Sequence, residues 1–200
     1  MCASPDTVRE LLIQARDLTF DNEQYVFINI DLFDNHRTPQ PWLDAADTEK
    51  RNAKARQTFE SLMTVTLRKP ASEEYRMFSR AVNRRATYRY QDFTLSEYES
   101  RDSVSSFVSA FHDAVLLYAV ALNETLEAGG DVTDGVSIPN RMRNRTFQGI
   151  AGTVSIDKNG DRNPDYSLFT FNTLEAAMEV VGTYYGSSKR YEQAPSTSLD

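Results

Sequence analysis

Two runs of alternating side chains, Ile150–Ile156 and Tyr166–Phe171, flank the polar stretch Asp157-Lys158-Asn159-Gly160-Asp161. Alternation with a period of two is the signature of a strand with one buried face. Asn159-Gly160 supplies the positive φ that tight turns between strands require. The pattern predicts a β-hairpin across 150–171. A chain holding such a hairpin needs further elements to cover its apolar face, and the rest of the sequence supplies them.

Ser4-Pro5 opens a helix, with Ser as cap and Pro at the first helical position, where its missing N–H costs nothing. Val8, Leu11, Leu12, Ala15 and Leu18 share one face of it. Tyr25–Phe33 is a near-continuous apolar, β-rich run, the pattern of a central parallel strand buried on both sides. After the Pro39 and Pro41 loop, Asp47 caps a predicted helix over 48–63, and 64–67 is a short strand. Ser72 with Glu73 and Glu74 starts another helix. The 84–90 stretch, Arg-Arg-Ala-Thr-Tyr-Arg-Tyr, reads as the solvated end of that helix, where cations favour the terminal carbonyls, rather than as a nucleic-acid stacking surface. A long helix from Ser103 to about Leu126 is apolar around most of its circumference, which predicts burial in a large interface. Gly129-Gly130 ends it. A short helix within 134–144, the hairpin, and a last strand at 178–185 complete the order. Residues 192–200 read as a loose tail.

Alternating helices and strands give an α/β class. The chain has no glycine-rich first strand–helix turn, which removes the dinucleotide-binding version of that class. The 200 residues carry a net charge of −7. That argues against nucleic acid as a partner, since such proteins need a basic face to displace counterions. Nucleotide-binding glycine loops, nucleophile elbows and Cys/His zinc spacings are absent from the sequence. His36 falls in a loop and His112 inside the long helix, where adjacent His112 and Asp113 are expected to point apart. Asp157, Asn159, Asp161, Asn163 and Asp165 alternate oxygen ligands, yet Gly160 is fourth and Leu168 twelfth, where a calcium loop needs Gly sixth and Glu twelfth. The sequence calls for no metal and no cofactor. Cys2 is the single cysteine, open at this point to a buried thiol or half of a disulfide. Asn123-Glu124-Thr125 and Asn144-Arg145-Thr146 are glycosylation sequons. The start of the chain turns polar at once, unlike a leader peptide. The longest apolar run, Ala114–Leu122, is far short of the roughly 20 residues of a bilayer span.

Met1–Thr7, Tyr25–Phe33, Phe111–Tyr118, Asn144–Gly152 and Val154–Arg162 together resemble the extracellular domain of the natriuretic peptide receptors, in order and over nearly the whole chain. The resemblance implies the C-terminal half of a two-lobed, type I periplasmic-binding-protein-like fold that binds a peptide hormone between two receptor copies. It places about 1–67 in a membrane-proximal lobe, about 70–148 mostly in a membrane-distal lobe, and about 150–191 in the return, with crossings near Arg68 and near 149–156. It implies a plasma-membrane receptor on the extracellular side, a homodimer, and attachment through a segment outside this chain. Cys2 would be half of a disulfide with an upstream partner, and Asn123 and Asn144 would carry glycans. The family's chloride site, dimer helices and main peptide contacts would lie upstream. Met1–Thr7, Val154–Arg162 and the 185–192 stretch are more similar to the clearance type than to the cyclase-coupled type, although both share this region.

Ligands of open α/β sheets sit beyond the carboxyl ends of the strands, which selects Asp31 and Phe33 as ligand-binding candidates. No residue pair here suits catalysis. A small-molecule module on the same fold, such as an amino-acid sensor or solute-binding protein, is the alternative reading. The long apolar helix leads to an expectation for the 200 residues alone: a broad, weakly cooperative thermal melt. A single sharp calorimetric transition would contradict it.

Overall fold

A computed structural model describes residues 1–20, 24–32, 40–90 and 102–195. Its elements in order are α1 (Pro5–Asp17), β1 (Phe27–Ile30), α2 (Glu49–Phe59), β2 (Leu62–Leu67), α3 (Glu73–Arg89), α4 (Ser106–Glu127), α5 (Ser137–Met142), β3 (Arg145–Gly149), β4 (Gly152–Ile156), β5 (Tyr166–Asn172), β6 (Ala177–Tyr185) and β7 (Arg190–Gln193). The chain forms two compact units, Met1–Arg68 with Asp165–Asp200, and Lys69–Pro164.

In the first unit a mixed sheet runs in the order β1-β2-β5-β6-β7. β1 and β2 are parallel, and the remaining neighbours are antiparallel. The Tyr25–Phe33 run, expected as a central strand, is instead four residues of edge strand. Ile28 and Ile30 stay exposed because only one face is covered. Its outer side meets Met1, whose carbonyl accepts from Ile30 N at 2.8 Å. On the covered face, Val8 and Leu12 of α1 and Phe59 of α2 pack on Leu62 and Phe171, with Phe27 and Met178 beside them. Each such buried side chain contributes about 1.5–3 kcal/mol.

α1 starts as the sequence predicts, with Ser4 Oγ accepting from Thr7 N at 3.3 Å and Pro5 in the first turn. α2 is capped by Thr48, not Asp47, and ends at Phe59, because β2 begins three residues later at Leu62. Asp47 has another task. Arg9, buried on α1, donates to Asp47 Oδ2 (2.9 Å), Asn52 Oδ1 (2.8 Å) and the Trp42 carbonyl (3.0 Å). Arg51 also donates to Asp47 Oδ2 at 2.9 Å and bridges to Glu10. This network ties α1 to α2 and to the loop between them.

In the second unit, the hairpin predicted across 150–171 is reduced to a single antiparallel bridge, Ile156 with Arg162, beside which Asn163 N donates to the Ser155 carbonyl at 2.9 Å. The turn is present: Asp157 Oδ1 accepts from Asn159 N (2.8 Å) and Asp161 N (2.9 Å), and Gly160 has φ 96°. Its flanking runs join different sheets. β4 pairs back onto β3 through the two-residue connection Ile150-Ala151, while β5 enters the first unit between β2 and β6. The alternation was real, but alternation specifies a strand and not its partner. The return crossing expected near 149–156 therefore falls at Pro164/Asp165, with the β3–β4 hairpin wholly inside the second unit.

α4 starts at Ser106 after Ser105, two residues beyond the predicted cap. Gly129 with φ 73° follows its end, and Gly130 N donates to the Thr125 carbonyl at 2.8 Å. The expected general burial is not found. The buried stripe is Ser109, Asp113, Leu117, Ala121 and Thr125, four apart and small or polar except for Leu117, whereas Phe107, Phe111, Val115 and Tyr118 are exposed. α4 is long and apolar enough to cross a membrane by length and composition, with mean hydropathy 1.3 over its best window. Its buried Asp113 is instead occupied in holding the β3–β4 hairpin, as described below.

The hydrogen bond from Arg51, with further donors from Thr48 N and Arg9, lowers the Asp47 pKa from 3.8 to about 2. A carboxylate depressed in the folded state stabilises above its unfolded pKa and loses that contribution as pH falls through the folded value. The urea midpoint of the first unit should therefore drop between about pH 4 and about pH 2. Asp47→Asn should flatten that drop, and an unchanged acid limb in the variant would show that Asp47 is not its source.

Candidate ligand-binding site

Register defines three rows across the covered face of the first-unit sheet. The lowest, Phe27–Leu62–Phe171–Met178, is apolar and lies in the core. Two residues along the strands, Asn29 faces Thr64, which faces Phe169. Two further along, Thr66 faces Ser167, which faces Thr183, and Asp31 follows β1 at this level with its N–H donating to the Val65 carbonyl at 2.9 Å. Polarity thus rises toward the carboxyl ends of the parallel pair. Asn29, Thr64, Thr66 and Ser167 are all buried, and Asn29 Oδ1 and Thr66 Oγ1 have no hydrogen-bond partner among the described residues. Buried polar atoms left without partners cost about 1–3 kcal/mol each. Their clustering at the strand ends, where α/β sheets place ligands, marks this rim as the candidate site. Asp31 sits there, half-buried. Phe33, the companion candidate, lies outside the described residues, as does His36.

The rim continues where the chain leaves the first unit. Arg68 N donates to the Asp165 carbonyl at 2.9 Å, and its guanidinium lies 3.5 Å from Asp165 Oδ2. The Arg68 and Arg190 guanidiniums lie 5.4 Å and 5.7 Å from the Tyr185 ring centre. Gly186 N donates to Asp165 Oδ1 at 3.1 Å. Tyr166 and Tyr184, register partners on β5 and β6, have ring centres 6.4 Å apart. Sequence reasoning missed this cluster and the polar rows that hold Asn29 and Thr66. Their members are scattered along the chain, and only strand register gathers them.

In the second unit, the buried Asp113 carboxylate accepts from Ile150 N at 2.7 Å and Ala151 N at 3.3 Å, capping the tip of the β3–β4 hairpin. His112 Nδ1 approaches Asp113 Oδ1 to 3.2 Å, so the two side chains meet, contrary to the sequence expectation. The His112 ring packs edge-on against Phe78 of α3 at 5.0 Å. His112 is thus held by structural contacts. The sequon residues Asn123 and Asn144 are exposed. Asn123 donates from Nδ2 to Glu127 Oε1 at 2.8 Å, and Asn144 has φ 49° at the start of β3. Cys2 is exposed and free. Among the described residues no cluster of His, Cys, Asp and Glu could hold a metal ion.

The chain is thus mixed α/β, with two compact units and a polar rim at the strand ends of the first. The model of the receptor family ligand-binding region matches residues 1–173. The chain belongs to that family, with its periplasmic-binding-protein-like fold, and to its natriuretic peptide receptor group. It is 45% identical over 194 residues to receptor-type guanylate cyclase gcy-28 of Caenorhabditis elegans, covering 95% of this chain and 15% of that protein. It is 39% identical over 196 residues to human atrial natriuretic peptide receptor 3, covering 98% of this chain and 35% of that protein. Rat atrial natriuretic peptide receptor 2 is 32% identical over 199 residues, with 95% and 18% covered. The chain thus spans about one third or less of the relatives it matches, and it is part of a receptor ligand-binding region.

The Asp113 clamp can be tested through Gly149. A Cβ there would lie 2.6 Å from the Asp113 carboxylate, and that group is buried and engaged. Gly149→Ala should destabilise the second unit by about 2–4 kcal/mol and speed amide exchange at Ile150 and Ala151. At Gly182 a Cβ would meet the Tyr191 hydroxyl at 2.1 Å, but Tyr191 is 52% exposed and can swing aside. Gly182→Ala should therefore cost under about 1 kcal/mol, and equal costs at the two positions would contradict this account.

Proposed function

We propose that this chain is the ligand-binding region of a plasma-membrane receptor, displayed on the extracellular side, that binds a peptide hormone of the natriuretic class and signals by rearrangement of a homodimer. The single observation that supports this most is family membership across nearly the whole chain, with relatives that include natriuretic peptide receptors and a receptor-type guanylate cyclase. The net charge of −7 favours a cationic ligand by steering. Asp31 at the polar rim is the residue proposed to meet that ligand, together with Phe33. The first unit would be the membrane-proximal lobe and the second the membrane-distal one, Cys2 would pair with an upstream cysteine, and Asn123 and Asn144 would carry glycans. The whole protein would reach the membrane through a segment outside this chain, with either a guanylate cyclase domain or the short tail of the clearance type beyond it. Ligand shifts the equilibrium between dimer arrangements to the extent that it binds one of them better.

A second reading is favoured by the orphaned Asn29 Oδ1 and Thr66 Oγ1, which are better matched to a small polar ligand such as an amino acid than to a large peptide surface. Labelled atrial natriuretic peptide and related cationic peptides, applied to cells expressing the full-length protein, decide between them. Saturable binding with a rise in cyclic GMP, weakened about fivefold by Asp31→Asn, is the expected result. Absence of saturable binding to every peptide of the class, with thermal stabilisation of the same protein by a free amino acid, would replace the first reading with the second.

A further inference from the structure

The outward face of α3 carries a cationic and aromatic surface. From Arg76 to Tyr90 there are five arginines and no Asp or Glu. Arg76 and Arg80 are engaged, by Glu73 at 2.8 Å and Asp102 at 2.6 Å respectively. Arg84, Arg85 and Arg89 are exposed and make no hydrogen bond or ion pair among the described residues. At 100° per residue, Arg84 and Arg85 fall on either side of Tyr88 one turn further on, with Arg89 beside it. Tyr88 is 90% exposed and Tyr90, at the helix end, 65%. The opposite face is anchored. Tyr75 Oη donates to the Val104 carbonyl at 3.1 Å, Asn83 Nδ2 donates to the Ser103 carbonyl at 3.2 Å, and Ser79 is fully buried. The orientation of the arginine face is therefore fixed by the packing behind it.

Favourable charge–dipole contact near a helix C-terminus accounts for one cation in the last turn. It does not account for three unpaired guanidiniums around a bare tyrosine ring. Guanidinium pairs bidentately with planar or tetrahedral oxyanions, and it releases its own water more readily than an ammonium does. Successive arginines one helical turn apart lie about 6 Å from each other along the axis, so they can follow a linear polyanion. A tyrosine ring open on one side can lie flat against the apolar face of a pyranose, which an acidic peptide does not offer.

We propose that the Arg84, Arg85, Tyr88 and Arg89 face of α3 is a docking surface for a sulfated polysaccharide of the heparan type. The proposal rests on the extracellular placement given above for its biological setting, but not for its measurement. With these 200 residues at a net charge of −7, retention of this region by a polyanion requires a local site, because its overall charge opposes it.

The test is heparin-affinity chromatography of the purified full-length protein at a series of salt concentrations. Wild-type protein should be retained at low salt and released as salt rises. Arg84→Ser/Arg85→Ser/Arg89→Ser should elute at much lower salt than wild type, with the slope of log K against log salt reduced by about two to three. Tyr88→Ala should weaken retention while leaving the slope unchanged, the mark of a stacking contact rather than a charge. Lys50→Ser/Lys158→Ser, which removes exposed cations elsewhere, should elute as wild type does. Failure of the wild type to bind, or retention of the triple variant at wild-type salt, overturns the proposal. Equal competition by polyglutamate and by desulfated heparan would overturn it in favour of an acidic protein partner. Peptide binding by the triple variant is expected to match wild type, so loss of hormone response and loss of heparin retention report on different readings.

Discussion

The antiparallel pairing of β2 with β5 is the joint on which the first unit depends. β2 ends where the chain departs for the second unit, and β5 begins where it returns, so Lys69–Pro164 is a single long insertion between neighbouring strands. Bringing such distant segments together costs about 4 kcal/mol of loop-closure entropy. The register Thr64–Phe169 and Thr66–Ser167, the Arg68–Asp165 contact and the burial of Phe171 against Leu62 offset it. β6 and β7 then pair only because β5 is in place.

That same joint creates the candidate site. β1 and β2 run parallel, so their carboxyl ends lie on one edge, and β5 supplies Ser167 at the level of Thr66. An apolar row gives way to polar rows along four neighbouring strands, and two of the polar atoms find no partner. The apolar row packs against α1 and α2, and the polar rows lead from it toward the carboxyl ends of β1 and β2.

The helices were legible because their signals are local: Ser4-Pro5, the Ser72 cap and Gly129 each act within one turn. Family and fold class were legible because long stretches kept their order. Asp31 lies just past β1, which ends at Ile30 rather than at Phe33 as the apolar run suggested. Partnership was not legible. The alternating runs on either side of Gly160 looked like two arms of one hairpin, yet their partners were Arg145–Gly149 for one and two first-unit strands for the other. The apolar stretch at Ser106–Glu127 looked buried because composition does not say which side of a helix finds a neighbour. Asp113 chose the side, through hydrogen bonds to backbone groups 37 and 38 residues away. Arg9 was invisible for the same reason, since its acceptors are set by tertiary approach.

The insertion also has a temporal consequence. During synthesis β2 leaves the ribosome well before β5, and its side opposite β1 stays open until the whole of Lys69–Pro164 has been made. Domains emerging at roughly 5–20 residues per second leave such an edge unpaired for several seconds. The second unit, continuous in sequence, can fold during that interval. Nascent chains therefore pass through a stage in which a finished unit is tethered to an unfinished one whose β2 edge is still open.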